Sequence, residues 1–195
     1  MKQGTEFDPR VIRTRGLLRT ALMELAVEKS FASLTIQDVT RRAGLNRTTF
    51  YLHFNGLHEL LEDCARSLFA ELRGEIYANL PAGSPPDLAR VEPFIESVFH
   101  HLGRHEKFYR AMLGKQGDPY FRELFQDHLS ELIFEPLAAG SPGGEINQRY
   151  AMTLHFFSAG FAGVAAWWLE AGMQPPAETA ARQVNRDILP GYLRF

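Results

Sequence analysis

A single cysteine, Cys64, stands in this chain of 195 residues. Without a second thiol no intramolecular disulfide can form, and thiolate metal sites built on paired cysteines are excluded. Near the start of an apolar helical stretch, Cys64 is expected to be a buried small residue in a reducing cytosol. Runs of alternating β-branched residues, internal repeats and low-complexity tracts are missing too, which argues against a sheet or solenoid. No Ser or Cys sits in an elbow motif, and there is no phosphate-cradling Gly loop and no HExxH pattern. The chemistry of an enzyme has no visible carrier. Met1 to Arg19 is polar and lacks the apolar run of a signal peptide. The longest uncharged stretch, AMTLHFFSAGFAGVAAWWL from Ala151 to Leu169, is nearly long enough to span a bilayer, but Thr153, His155 and Ser158 interrupt it. A helix apolar nearly all round is expected there, buried between helices or subunits rather than in lipid.

Large net charge is also lacking, since the formal sum is only −2. That sum hides an asymmetry. Residues 1–54 hold nine Lys/Arg against five Asp/Glu, while the remainder holds 12 basic and 18 acidic residues. A basic head on an acidic body suits contact with a polyanion through one end.

What the chain does have is helical period almost throughout. The stripe Leu18, Ala21, Leu22, Leu25, Ala26 predicts a first helix over about 9–29. A long helix is expected from Leu57 to about Leu80, with Leu60, Leu61, Cys64, Leu68 and Leu72 on one side. The run Pro81-Ala82-Gly83-Ser84-Pro85-Pro86 breaks it. Further helices are expected near 88–103, 105–113, 119–138, 146–171 and 176–189.

Thr35 to Phe54, TIQDVTRRAGLNRTTFYLHF, carries the sharpest signal. Ile36, Val39 and Ala43 share one helical face, Thr35 stands where an N-cap is wanted, and Gly44 follows as a stop able to take positive φ. Asn46 offers a second N-cap, and the residues from Arg47 to Phe54 are expected to continue as a helix. Two short helices around a Gly-containing turn are the plan of a helix-turn-helix reader of DNA. Phe50 and Phe54, four apart, must face inward. That turns Arg47, Thr48 and Tyr51 outward, with Thr49 and His53 on the flanks. Arg can fork onto guanine, Thr can meet base edges, and Tyr and His can reach phosphate oxygens. A plain αα-hairpin with a polar solvent face is the competing reading. Arg10, Arg13, Arg15 and Arg19 at the start of the first helix could reach flanking phosphates, with a solvated N-terminal arm the alternative for Arg10 and Arg13.

The runs T-I-x-D-V-x-x-x-A-G-L-N (Thr35 to Asn46) and T-F-Y-x-H-F (Thr49 to Phe54) resemble the N-terminal domain of the TetR family of bacterial transcriptional regulators. The likeness extends from Arg13 to about Leu61. Leu57 departs from it, because the family commonly places a phosphate-contacting Lys there. The resemblance implies an all-α fold with a three-helix helix-turn-helix domain over 9–56 and a ligand-binding and dimerisation domain over 57–195. It also implies DNA contacts from Thr35, Ile36, Arg42, Asn46, Arg47, Thr48, Thr49, Tyr51, Leu52 and His53, and a homodimer on a palindromic operator. FYRAMLGKQGDPYF from Phe108 to Phe121, and the stretch from Trp167 to Met173, resemble the C-terminal domain of one TetR branch.

For the body two tasks are expected. Phe94, Phe99, Phe108, Tyr109, Met112, Phe121, Phe125 and Phe156 could line a pocket for a small apolar or aromatic effector. Phe161, Ala165 and Trp168, with Ala177, Ala181, Val184 and Ile188, could form the dimer interface, two helices from each subunit making a four-helix contact. His100, His101 and His105 suggest a metal at first sight, since His101 and His105 lie four apart with Glu106 adjacent, but no Cys pair or HExxH pattern supplies a third and fourth ligand. A solvated polar face, with no metal and no cofactor, is the expectation. The function expected is that of a cytoplasmic repressor released from its operator by a small ligand. A TetR-like co-regulator or activator whose body binds a partner protein is the alternative.

Overall fold

The computed structural model describes residues 8–78, 91–139 and 148–188, and every regular element among them is helical. The helices are α1 (Pro9–Glu28), α2 (Ile36–Ala43), α3 (Arg47–Tyr51), α4 (Leu57–Ala78), α5 (Val91–Arg104), α6 (Glu106–Leu113), α7 (Pro119–Ala139), α8 (Gln148–Glu170) and α9 (Ala177–Gln183). A 3₁₀ turn at Phe31–Ser33 precedes α2, and α9 runs on as a π-helical turn over Val184–Ile188. The Pro/Gly breaks expected at residues 81–86 and 140–144 lie outside the described residues.

Local chemistry sets the boundaries. Asp8 caps α1 by accepting the Arg10 N–H at 2.8 Å, and Pro9 occupies the first helical position, where no N–H is needed. Thr35 and Asp38 form a reciprocal capping box on α2. Gly44 ends α2 at φ 67°, a left-handed conformation that costs glycine nothing. Asn46 caps α3 through the Thr49 N–H at 2.7 Å. Helix α3 stops sooner than the sequence suggests. Phe54 is not on it but in the turn that follows, its N–H bonded to the Phe50 carbonyl at 2.9 Å.

Leu18, Leu22, Val39, Phe50 and Phe54 are all at or near zero exposure and close the small N-terminal core onto Leu60, Leu61 and Cys64 of α4. Burial pushes the Cys64 thiol pKa up, as expected of a structural rather than a reactive cysteine. Helix α4 continues into a second core, where Leu72, Ile95, Phe99, Tyr109, Phe121, Phe125 and Ala165 are fully buried. The buried set is one continuous cluster, with α4 common to both ends. α6 packs on α1 and α7 packs on α4, so the body braces the reader directly. No helix among the described residues is long and apolar enough to cross a membrane. The α8 stretch that raised that possibility is instead buried along one face, through Ser158, Phe161, Ala162, Ala165, Trp168 and Leu169.

Candidate nucleic-acid interface

The inward anchors of α3 fix what it offers to solvent. Phe50 is completely buried and meets Phe54 at 5.9 Å between ring centroids. The opposite side is left to Arg47, Thr48, Tyr51 and Leu52, all exposed, Tyr51 at 51% and Leu52 at 77%. Arg47 Nη2 approaches the Tyr51 hydroxyl at 3.5 Å, so the cation and the phenol stand side by side one turn apart. A forked donor, a hydroxyl, a phenol and an apolar side chain together form a surface able to read major-groove edges.

The other expected contact residues are partly committed to the fold. The Thr35 hydroxyl accepts the Asp38 N–H at 3.2 Å and donates to the Asp38 carboxylate at 2.7 Å. Asn46 holds both the N–H and the hydroxyl of Thr49. Ile36 is half-buried against the core. Arg42 pairs with Glu24 and Glu28 of α1, at 3.2 and 2.7 Å, which ties α2 to α1 and engages the guanidinium there. His53 is half-buried, and burial, with the nearby Arg15 charge, lowers its pKa and so favours the neutral imidazole.

Sequence periodicity does not reveal the brace behind this surface. Asp63 of α4 is 6% exposed and gathers Arg15 at 2.6 Å, Arg19 at 3.2 Å and Arg66 at 3.5 Å. Arg15 also lies over the Phe54 ring, 4.9 Å from its centroid. Arg15 and Arg19 are therefore structural cations, and of the four N-terminal arginines only Arg10 and Arg13 stand exposed. Lys29 closes on Asp38 at 2.8 Å, and the Lys29 and Thr35 contacts hold the Asp38 carboxyl down at about 2.

In the body, the expected pocket aromatics form packed core. Tyr109 meets Phe121 at 6.1 Å and Phe125 at 5.8 Å, Phe108 meets Phe121 at 5.2 Å, and Phe99 meets Trp168 at 5.0 Å. Met112 is buried with them, Phe94 only partly, and Phe156 is not among them: it is 58% exposed on the outer face of α8. A cavity of about 450 Å³ lies elsewhere, between α4 and α7. It is lined by Arg66, Phe69, Ala70, Arg73, Gly74, Tyr77, His128 and Leu132.

The expected dimer residues need the same correction. Phe161, Ala165, Trp168, Ala181 and Val184 are buried within their own chain, Ala177 packs on the same core, and the Ile188 side chain lies outside the described residues. α8 instead turns Met152, Phe156, Ala159, Gly160, Gly163 and Trp167 to the surface. Small and bulky residues alternate around the whole of α8, so periodicity alone could not choose the outer face. His101 corrects the expectation of a solvated histidine face: it is fully buried, its Nε2 3.0 Å from the Tyr109 hydroxyl.

Residues 18–64 match the model of bacterial regulatory proteins of the tetR family, and residues 90–188 match the model of a transcriptional regulator C-terminal region of that family. An uncharacterised HTH-type transcriptional regulator of Bacillus subtilis, YxbF, is 27% identical over 183 residues, covering 91% of this chain and 45% of that protein. An HTH-type regulator of Haemophilus influenzae is 32% identical over 87 residues, 43% of this chain and 42% of that protein. The chain thus spans under half the length of these curated relatives. Among solved structures, a TetR regulator of Streptococcus agalactiae matches with TM-score 0.66 at 21% identity, over 90% of this chain and 93% of that one. The fatty acid degradation regulator FadR of Bacillus halodurans matches with TM-score 0.65 at 16% identity, over 93% and 96%. At those identities the likeness is one of fold. The two family matches together cover most of the chain, and it belongs to the TetR family of transcriptional regulators.

Proposed function

We propose that the protein is a cytoplasmic repressor that occupies a palindromic operator as a homodimer and leaves it when a small ligand binds the body. The observation that carries this reading is the exposed Arg47, Thr48, Tyr51, Leu52 surface on a helix anchored from behind by Phe50. Pairing through α8 is supported by its outer face. Among the described residues outside their own stretch of helix, nothing lies within 4 Å of where a Cβ would stand on Gly160 or Gly163, so no described packing requires their smallness. Beside them Met152, Phe156 and Trp167 are exposed at 74%, 58% and 59%. A second copy approaching over the glycines and covering those side chains accounts for both. Two-fold symmetry then places one reader on each half-site.

The α4–α7 cavity is the effector site in this reading. Phe69 and Leu132 give it an apolar floor, and Arg66 and Arg73 give it cationic character beside the His128 imidazole. A ligand with an apolar body and an acidic group fits better than a purely aromatic one. Arg66 connects this cavity to the reader, since it also approaches Asp63, which holds Arg15 over the Phe54 ring. An acid bound in the cavity competes with Asp63 for Arg66 and favours a different tilt of α4. The ligand then shifts the population toward dimers whose readers no longer match successive grooves.

Selection of bound sequences from random duplex DNA, at a fixed salt concentration, tests the proposal. A palindrome is expected. Failure to enrich any sequence would favour a co-regulator whose exposed α8 face binds a partner protein. An operator affinity unmoved by every acidic ligand that occupies the cavity would overturn release alone.

A further inference from the structure

We infer that Glu96, His100 and Glu178 form a binding site for a divalent transition metal, zinc above all, across the seam between α5 and α9. This site is independent of the effector reading. Glu96 and His100 stand four residues apart on α5, the spacing that puts two side chains on one face a turn apart. The third ligand comes from Glu178 in the first turn of α9, 78 residues beyond His100. That distance in sequence is why counting ligands along α5 finds no third.

His100 Nε2 lies 3.6 Å from Glu96 Oε1 and 3.5 Å from Glu178 Oε1, and the three ligand atoms all fall within 4.8 Å of one another. These separations are long for hydrogen bonds but suit a shared ion. Metal bonds of about 2.0–2.2 Å in a tetrahedron set ligand atoms about 3.3–3.6 Å apart. Water would fill the fourth position, because all three side chains are solvent-accessible. Charge points the same way. Two carboxylates converge here, and among the described residues neither has an ion-pair partner other than His100. A divalent cation offsets both negative charges.

The seam is also firmly placed. Ile95, Val98, Phe99, Ala181 and Val184 are buried at or beneath it. Further along, Asn185 Nδ2 donates to Glu92 Oε2 at 3.2 Å and fixes the register of the two helices. The ligands therefore project from packed helices and need little ordering when the ion arrives.

A second group, Glu71, His101 and His105, has comparable spacing but a cation is already there. The Arg104 guanidinium is paired with Glu75 and lies 3.5 Å from His101 Nδ1, and His101 Nε2 is engaged by Tyr109. That group serves as the control.

The test is zinc binding to the full chain, freed of any purification tag, by competition with a chromogenic chelator and by Co²⁺ absorption. One ion per chain is expected, with the intense visible bands of tetrahedral cobalt. His100→Ala and Glu178→Gln should each weaken binding about tenfold or more and remove those bands, and His105→Ala should change neither. Circular dichroism would establish that each variant is folded. An absence of stoichiometric binding, or binding lost with His105 and kept without His100, would overturn the assignment.

Discussion

Arg15 of the first helix and Asp63 of the fourth meet at 2.6 Å, and the same guanidinium lies over Phe54 just beyond the reader helix. One side chain thus joins three pieces of chain: the N-terminal helix, the turn after α3, and the helix that enters the body. Asp63 is nearly buried and also holds Arg19 and Arg66, so its charge is offset from several sides. Whatever moves α4 moves this group.

Asp63→Asn keeps the shape but removes the charge that gathers the arginines. We expect a loss of about 2–3 kcal/mol in urea unfolding, since the arginines are left partly buried without a counter-charge. Operator affinity should fall as well, measured well below the unfolding midpoint. An unchanged affinity in a folded variant would mean that Asp63 supports stability without placing the reader.

Low pH acts on a different buried group. His101 is enclosed by Tyr109, Glu71, Glu75, Arg104 and His105, and burial, reinforced by His105, lowers its pKa from 6.5 to about 4. Above pH 6.5 neither folded nor unfolded chain protonates it, and the full stability is present. Between 6.5 and about 4 the unfolded chain takes the proton and the folded one resists, so stability should fall by on the order of 3 kcal/mol, then level off. Urea midpoints at pH 7, 5.5 and 4 check this against His101→Asn, which should lose that component of the slope.

The stop signal of α2 gives a smaller, cleaner number. At Gly44 an added Cβ meets nothing within 4 Å among the described residues, so Gly44→Ala costs the left-handed backbone, about 1 kcal/mol. Thr35→Ala at the other end removes the capping hydroxyl and should cost about 1 kcal/mol. Equal losses by thermal and urea unfolding would check both.

The reader was legible in the sequence because its determinants are local. Thr35, Asp38, Gly44 and Asn46 act within three or four residues, and Phe50 sets the inward side through helical period alone. The early end of α3 was not legible, because TTFYLHF keeps that period past the point where the backbone turns. Arg15 and Asp63 are 48 residues apart and Glu178 is 78 from His100; no periodicity links such pairs. The place of the cavity is not legible in the sequence for a related reason. Aromatics that fill a core and aromatics that line a pocket have the same composition, and only packing separates them.

The outer face of α8 gives a prediction about assembly. Gly163→Trp places a large ring where a close helix approach is proposed, in a position open among the described residues. Sedimentation should then show dissociation at concentrations where the wild type is dimeric, with the helical content intact. A dimer of undiminished affinity would move the interface away from α8.

Arg47 and Tyr51 separate reading from holding. Their side chains meet at 3.5 Å on the exposed surface of α3, so either one affects where the other points. If Arg47 forks onto a guanine, Arg47→Ala should cost about 1–3 kcal/mol on the selected operator and relax preference at one position of each half-site. The salt slope should change little, because a base contact releases no condensed counterion. Uniform weakening across sequences, with a shallower salt slope, would make Arg47 a phosphate contact instead. Tyr51→Phe removes only a hydroxyl and should weaken binding without altering the consensus. If that variant did change the consensus, the phenol would be orienting Arg47 through their contact, and the double variant would then cost less than the sum of the two singles.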